Sequence, residues 1–191
     1  LEIRGAGNLL GTKQSGHIAQ IGFGLYCQLL RQSVERLKGG KAKPTASPAF
    51  KADFIANTEA SFVKAKHSDL ASGDLLPAFI PAAWLAETKL RIAAYRELAD
   101  AVSEASIKKL ESSWRDRHGR LPEAVRNLIT IARIKAVAAR HQISSVELSG
   151  QRLILQRNGE SIMLAGRRFP RLTSISSSAK LTETIELLGR F

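Results

Sequence analysis

Hydrophobic side chains recur every three or four positions along residues 17–38, which is the spacing of one face of an α-helix. The apolar positions on this face are Ile18, Ile21, Leu25, Tyr26, Leu29, Leu30, Val34 and Leu37. Two glycines follow at 39 and 40, and glycine readily takes the left-handed conformation that ends a helix. The residues up to Pro48 hold almost no large apolar side chain, which is typical of a linker. We therefore predict an N-terminal unit at residues 1–40, a linker at 41–48 and a domain at 49–191.

Three short apolar runs follow the linker. Residues 50–56 and 61–66 combine aromatic and β-branched side chains and are separated by Asn57 and Thr58, so we expect a pair of strands there. Residues 75–80 form a third run that ends before Pro81, which favours another extended segment.

Helical spacing returns between residues 82 and 140, in three successive segments. The predicted inward face of the first helix consists of Trp84, Leu85, Leu90, Tyr95, Leu98 and Val102. Ser103 is a suitable N-terminal cap for the second helix, which we expect to end before Gly119. The third helix is predicted to open at Pro122 and to extend to about Arg140.

The period then changes to two, as in half-buried strands. The apolar centres of these strands are residues 146–148, 153–155 and 162–164. Asn158 and Gly159 predict a type I′ hairpin turn between the last two, and residues 179–188 return to helical spacing. Grouped strands and helices without regular alternation indicate an α+β fold with short strands and about four helices in the main domain.

The net charge of +12 favours an anionic partner such as nucleic acid, although the charge is spread along the chain. Arg126, Arg133 and Arg140 are seven residues apart and therefore lie close to one face of the third predicted helix. They are our candidate nucleic-acid contacts, with Lys135 and Arg115 nearby. The same spacing also fits an ordinary solvated helix face. A stand-alone nucleic-acid-binding module is therefore the alternative hypothesis and not the main one.

Cysteine usage and hydropathy indicate the compartment. No apolar run approaches the roughly 18 residues of a membrane span, and the single cysteine, Cys27, has no partner for an intrachain disulfide. We expect a cytoplasmic protein with no membrane contact. The first residue is Leu1 rather than methionine, so we also expect that the sequence is a piece of a longer protein.

Motifs for catalysis and metal binding do not emerge from the sequence. The glycines near the N-terminus lack dinucleotide-binding spacing, and no glycine-rich loop ends in the Lys-Ser/Thr pair that holds nucleotide phosphates. The four histidines are far apart, and the acidic residues have no spacing typical of a two-metal nuclease. We predict no catalytic residue, no metal site and no cofactor within this chain.

The opening sixteen residues contain four glycines that let the backbone turn sharply. By itself this pattern fits either a hook that moves against another surface or a simple connector. The run from Leu1 to Leu30, however, closely resembles the translocation motif and following helix shared by RecG helicase and the bacterial transcription-repair coupling factors. The matching positions are Arg4, Gly5, Gly7, Gly11, Gln14, Ser15 and Gly16.

Three later segments resemble the C-terminal domain that the coupling factors have and RecG lacks. These segments are Phe79–Pro81, Leu90–Leu98 and Asp116–Val125. Trp84 occupies a position where tyrosine is common in the family, and His118 one where phenylalanine is common. The resemblance is weakest over residues 47–76 and from residue 142 onward.

This resemblance implies the C-terminal segment of an ATP-dependent double-stranded DNA translocase of helicase superfamily 2. Such a translocase displaces stalled RNA polymerase and recruits nucleotide excision repair. Arg4 and Gln14 would transmit movement through contacts with the motor lobes, which bind ATP and Mg outside this chain. The domain at 49–191 would be regulatory, packing against a UvrB-like module and hiding its UvrA-binding surface until the motor engages RNA polymerase. The chain itself would not be an enzyme.

Overall fold

Six strands and five helices make up the described part of this computed structural model, which covers residues 47–66, 74–164 and 168–191. The strands are β1 (Ala49–Ala52), β2 (Ile55–Ala56), β3 (Leu76–Pro77), β4 (Ser145–Ser149), β5 (Arg152–Arg157) and β6 (Glu160–Ile162). The helices are α1 (Glu59–Lys66), α2 (Thr88–Asp100), α3 (Glu104–His118), α4 (Glu123–Arg140) and α5 (Ser177–Leu188). The predicted α+β class is confirmed, with one helix more than expected.

The N-terminal predictions fall outside the described residues. They comprise the hook, the long helix and the translocation-motif residues Arg4, Gly5, Gly7, Gly11 and Gln14. The linker at 41–48 lies mostly outside them as well. These assignments and the domain boundaries derived from them stay predictions.

A four-stranded mixed sheet has the order β1-β4-β5-β6. Strand β1 runs parallel to β4, with Phe50 opposite Val146, and the remaining pairs are antiparallel. Asn158 and Gly159 both have positive φ, at 52° and 83°, as a type I′ turn requires, so the predicted hairpin is confirmed. Strand β6 covers residues 160–162, two residues earlier than the predicted 162–164. The shift arises because the tight turn places Glu160 directly opposite Arg157.

The predicted strand at 50–56 is two strands in different sheets. The chain turns at Asp53 and Phe54, and β2 then pairs in parallel with β3 in a separate two-stranded sheet. The Asp53 carboxylate accepts a hydrogen bond from the Gly150 backbone N–H at 2.7 Å, which fixes this turn against the β4–β5 hairpin. Within the predicted extended run at 75–80, only Leu76 and Pro77 pair with another strand.

The prediction of a strand at 61–66 was wrong, because these residues form helix α1. Thr58 accepts a hydrogen bond from the Ser61 backbone N–H at 3.1 Å, and Ser61 Oγ accepts one from the Thr58 N–H at 3.3 Å. This reciprocal capping box satisfies two backbone donors and starts a helix. The ring of Phe62 then packs near that of Phe79, with centroids 6.2 Å apart.

Helix α2 begins six residues later than predicted. Residues 82–84 form a turn, in which the Trp84 and Leu85 N–H groups both donate to the Pro81 carbonyl. The helix buries Ala94 and partly buries Tyr95, whereas two predicted inward residues, Leu90 and Val102, are 45% and 64% exposed. Leu90 lies in the first turn of the helix and Val102 lies beyond its last residue, whereas the prediction placed both within a longer helix.

Helices α3 and α4 begin and end close to the predicted positions. Ser103 caps α3, accepting from the Ser106 N–H at 3.2 Å, and α3 ends at His118 before Gly119. Pro122 precedes α4 as its cap residue with an extended backbone, and α4 ends at Arg140 as predicted.

Two hydrophobic cores lie on either side of α4, which contributes to both. The sheet core consists of Phe54, Leu76, Ile134, Val137, Ala138, Ile143, Val146, Leu148, Leu153, Leu155, Leu172, Leu181 and Leu188. The helical core consists of Ile80, Leu85, Ala94, Ile107, Trp114, Leu121, Val125, Ile129 and Ala136. Because α4 belongs to both, the two halves of the domain share one structural element.

Carboxylates tie α5 to the loops around it. Asp74 accepts from the Ser177 N–H at 2.6 Å, at the first residue of the helix. Glu183 accepts from the N–H groups of Thr173 and Ser174, both at 2.8 Å. These backbone donors favour the charged carboxylate and lower the pKa of Glu183 to about 2.

Replacing Glu183 with glutamine is expected to make stability less dependent on pH. The folded state has the lower pKa, so ionised Glu183 stabilises the fold above its unfolded value of 4.5, and this contribution is lost as pH falls towards 2. Urea unfolding of the wild type and E183Q should therefore differ most at neutral pH and converge in acid. A constant difference between pH 7 and 2 would contradict this account.

Candidate binding site at the junction of α3 and α4

A cationic pocket of about 420 Å³ lies where α3 ends and α4 begins. Its lining residues are Arg115, Gly119, Arg120, Leu121 and Arg126. Three arginines, a glycine and one buried leucine therefore line a single space. Such a site suits an anionic group attached to an apolar one.

The backbone conformation of Gly119 sets the shape of this junction. Its φ of 77° and ψ of −153° lie in a region that only glycine occupies readily, and its N–H closes α3 by donating to the Arg115 carbonyl at 2.9 Å. Leu121, which is 3% exposed, then enters the helical core, and Pro122 directs the chain into α4. The glycine thus positions Arg120 between two helix ends.

Replacing Gly119 with alanine is expected to lower the free energy of unfolding by about 1–3 kcal/mol, from backbone strain alone. A β-carbon at this position would meet nothing within 4 Å, so steric overlap adds nothing. The matched control is Gly189→Ala, because Gly189 has an ordinary helical φ of −68°. Urea denaturation should show a lower midpoint for G119A and little change for G189A. Equal midpoints for G119A and the wild type would contradict the assigned strain.

The three arginines of the pocket differ in their bonding. Arg126 donates from Nη1 to the Leu121 carbonyl at 2.8 Å, and Arg115 donates from Nη2 to Glu111 Oε1 at 3.3 Å. Within the described ranges, Arg120 makes no hydrogen bond through its side chain. Since each guanidinium carries five N–H donors, most donors around the pocket stay available to a ligand.

Aromatic side chains hold the end of α3 in place. Trp84 donates from Nε1 to the His118 carbonyl at 3.2 Å, and its ring meets the His118 ring edge-on with centroids 5.4 Å apart. Trp84 also packs edge-on against Trp114, with centroids 5.9 Å apart. The end of α3 is therefore held against the segment that precedes α2.

A second link joins α2 and α3 through Glu97. Its carboxylate accepts from Trp114 Nε1 at 2.7 Å and from both terminal nitrogens of Arg117, at 3.2 and 2.6 Å. The hydrogen bond from Arg117 is the main cause that holds the pKa of Glu97 below its usual value. Arg117 is therefore engaged in holding the fold and is not among the residues that line the pocket.

The three predicted nucleic-acid contacts occupy different environments along α4. Arg126 lines the pocket, Arg133 donates to Glu111 Oε2 at 2.6 Å, and Arg140 is exposed at the last residue of the helix. Burial lowers the pKa of Lys135, which we had expected near this face. Contact of these residues with nucleic acid stays a prediction.

Arg120 and Gly119 are site residues that the sequence did not reveal. Helical periodicity relates positions within one helix, whereas Arg120 reaches the pocket from the turn between two helices. Arginines from α3, from the turn and from α4 come together only through tertiary packing. A usable signal was the Gly-Arg-Leu-Pro run at 119–122, which combines a helix stop, a cation and a helix start.

The described residues lack two features that would indicate other kinds of function. No cluster of three or more His, Cys, Asp or Glu side chains is placed to hold a metal ion. Among the same residues, none of the helices has the length and hydropathy to cross a membrane.

Comparison with known proteins shows what the chain resembles. A family model described as the TRCF domain matches residues 75–163. The transcription-repair-coupling factor of Buchnera aphidicola is 30% identical over 193 residues, which cover 98% of this chain and 22% of the relative. The factor of Myxococcus xanthus is 29% identical over 191 residues, which cover 100% of this chain and 14% of the relative. The factor of Escherichia coli is 32% identical over 147 residues, which cover 77% of this chain and 11% of the relative. The chain thus spans about a fifth or less of the length of these relatives.

A solved structure supports the fold independently. The crystal structure of the C-terminal domain of a transcription-repair coupling factor aligns with a TM-score of 0.52 at 13% identity, over 60% of this chain and 86% of that one. The elements define an α+β domain in which arginines line a pocket between two helices. The chain belongs to the transcription-repair coupling factor family, and its TRCF domain lies at residues 75–163.

Proposed function

We propose that this chain is the C-terminal regulatory segment of a cytoplasmic, ATP-dependent double-stranded DNA translocase. The translocase displaces stalled RNA polymerase and recruits nucleotide excision repair. The domain itself is autoinhibitory, because it masks the module that binds UvrA. The observation that carries this proposal is the match of 98% of the chain to a transcription-repair-coupling factor of which it spans only 22%. In that setting ATP and Mg bind to motor lobes, and Arg4 and Gln14 transmit movement from them.

The geometry of the described domain favours binding over chemistry. Its shortest ion pairs, Glu97 with Arg117 and Glu111 with Arg133, link neighbouring helices. Its pocket offers cations to an anionic ligand and no arrangement of nucleophile and base within the described residues. Interfaces between domains of one protein are often polar enough to open and close, which a regulatory contact requires.

The proposal is tested by mixing the purified chain with the isolated UvrA-binding module. We expect a complex that charge reversals on exposed faces of the chain weaken, and no ATP hydrolysis by the chain alone. Measurable ATPase activity in the pure chain would contradict its non-enzymatic role. Failure of every charge reversal to weaken the complex would contradict a masking interface on this domain.

A stand-alone nucleic-acid-binding module is the second candidate function. The net charge of +12 and the exposed Arg140 favour it. Arg133, another predicted contact, is instead engaged in an ion pair with Glu111. This function predicts binding to duplex DNA with an affinity that falls steeply as salt rises. Absence of binding at low salt would rule it out.

A further inference from the structure

We infer that the pocket at the junction of α3 and α4 binds the carboxylates of an acidic polypeptide segment. This goes beyond the proposed function, because it specifies the chemistry of a ligand at one site and holds for whichever polypeptide supplies the segment. The inference rests on the arrangement of Arg115, Arg120 and Arg126 around one concave space.

The hydrogen-bonding capacity of the pocket matches carboxylates. A guanidinium presents its donors as a planar fork that pairs with both oxygens of a carboxylate. Arg120 has its whole fork available within the described part of the chain, while Arg126 and Arg115 each use one terminal nitrogen in the bonds to Leu121 and Glu111. Arg120 can therefore pair with a carboxylate without breaking an internal bond.

The size and lining of the pocket suit side chains of a peptide. A volume of about 420 Å³ falls within the range of small-ligand sites, roughly 300–1,000 Å³. Leu121 and the aliphatic stems of the arginines provide apolar surface beside the charged groups. Gly119 adds no side chain, so the space over it is open. An acidic segment with an apolar residue among its carboxylates would use both parts of the lining.

Charge distribution favours a polypeptide over DNA at this place. Residues 111–126 carry four arginines but also Glu111, Asp116 and Glu123, which leaves a net charge of only +1. Duplex DNA carries one negative charge per about 1.7 Å of its axis and would repel these carboxylates. A short acidic segment carries only a few charges, so it meets less of this repulsion than a continuous polyanion does.

The test measures binding of a fluorescein-labelled peptide of glutamate and leucine to the 191-residue chain by fluorescence anisotropy. Arg120→Glu is compared with Arg152→Glu, which makes the same charge change at an exposed position on β5 outside the pocket. We expect R120E to weaken binding by about tenfold or more, through loss of charge-assisted hydrogen bonds, and R152E to have a much smaller effect. Arg120→Gln gives the same comparison should R120E fail to fold, and urea midpoints check folding.

Three results would overturn the inference. Equal weakening by R120E and R152E would mean general attraction to a basic protein. No binding of the peptide at low salt would mean that the pocket does not accept carboxylates. Loss of duplex DNA binding in R120E with peptide binding unchanged would mean that the pocket is a phosphate site. None of these results bears on masking of the UvrA-binding module, which the mixing experiment tests separately.

Discussion

Replacing Trp114 with alanine is expected to lower the free energy of unfolding by about 3–5 kcal/mol. The side chain is fully buried in the helical core, packs edge-on against Trp84 and donates to Glu97. Its removal leaves a large cavity and also takes away one hydrogen-bond donor from a half-buried carboxylate. Because domains of this size are stable by only about 5–15 kcal/mol, much of the stability would be lost.

Urea denaturation followed by circular dichroism measures this effect. The control is Val102→Ala, since Val102 is 64% exposed just beyond α2 and should change the midpoint little. A W114A variant within about 1 kcal/mol of the wild type would contradict the assignment of Trp114 to the centre of the helical core.

Replacing Leu155 in the sheet core with alanine should lower the free energy of unfolding by about 2–5 kcal/mol. The helical core should unfold at the same lower urea concentration. Leu155 is fully buried in the sheet core, whereas both tryptophans of the chain lie in or against the helical core. Helix α4 contributes Ile134 to the sheet core and Ile129 to the helical core, so neither core can lose its packing alone. We therefore expect one cooperative transition.

Tryptophan fluorescence and far-ultraviolet circular dichroism are compared on the same L155A samples. Both signals should shift to the same lower urea midpoint. The control is Gln156→Ala, an exposed position on the same strand. A fluorescence midpoint that stays at the wild-type value while the circular dichroism midpoint falls would show that the two cores unfold independently.

Local signals of a few residues predicted several elements correctly. Ser103 caps α3 because its hydroxyl reaches a backbone donor within one helical turn, and Asn158 with Gly159 makes a tight hairpin because both accept a positive φ. Gly119 ends α3 for a related reason. Each of these features depends on the residues beside it in the chain, so the sequence contains all the information needed.

Longer-range packing explains the errors. The run at 61–66 has the composition of a strand, but Phe62 and Ala65 are half-buried at helical spacing and Thr58 caps the helix. A short apolar run is ambiguous between strand and helix unless its cap is recognised. The same limit applies to the site. Periodicity places Arg126 and Arg133 on one face, yet only tertiary structure shows that Glu111 of α3 engages Arg133 while Arg126 lines a pocket.

Competition with UvrA tests the central claim most directly. Binding of UvrA to the isolated UvrA-binding module is measured with increasing amounts of the purified chain, and a heat-denatured sample of the chain serves as the control. If the domain masks that module, the apparent affinity of UvrA should fall as the chain is added, and the denatured control should have no effect. Unchanged UvrA affinity at chain concentrations that saturate the module would contradict the masking role.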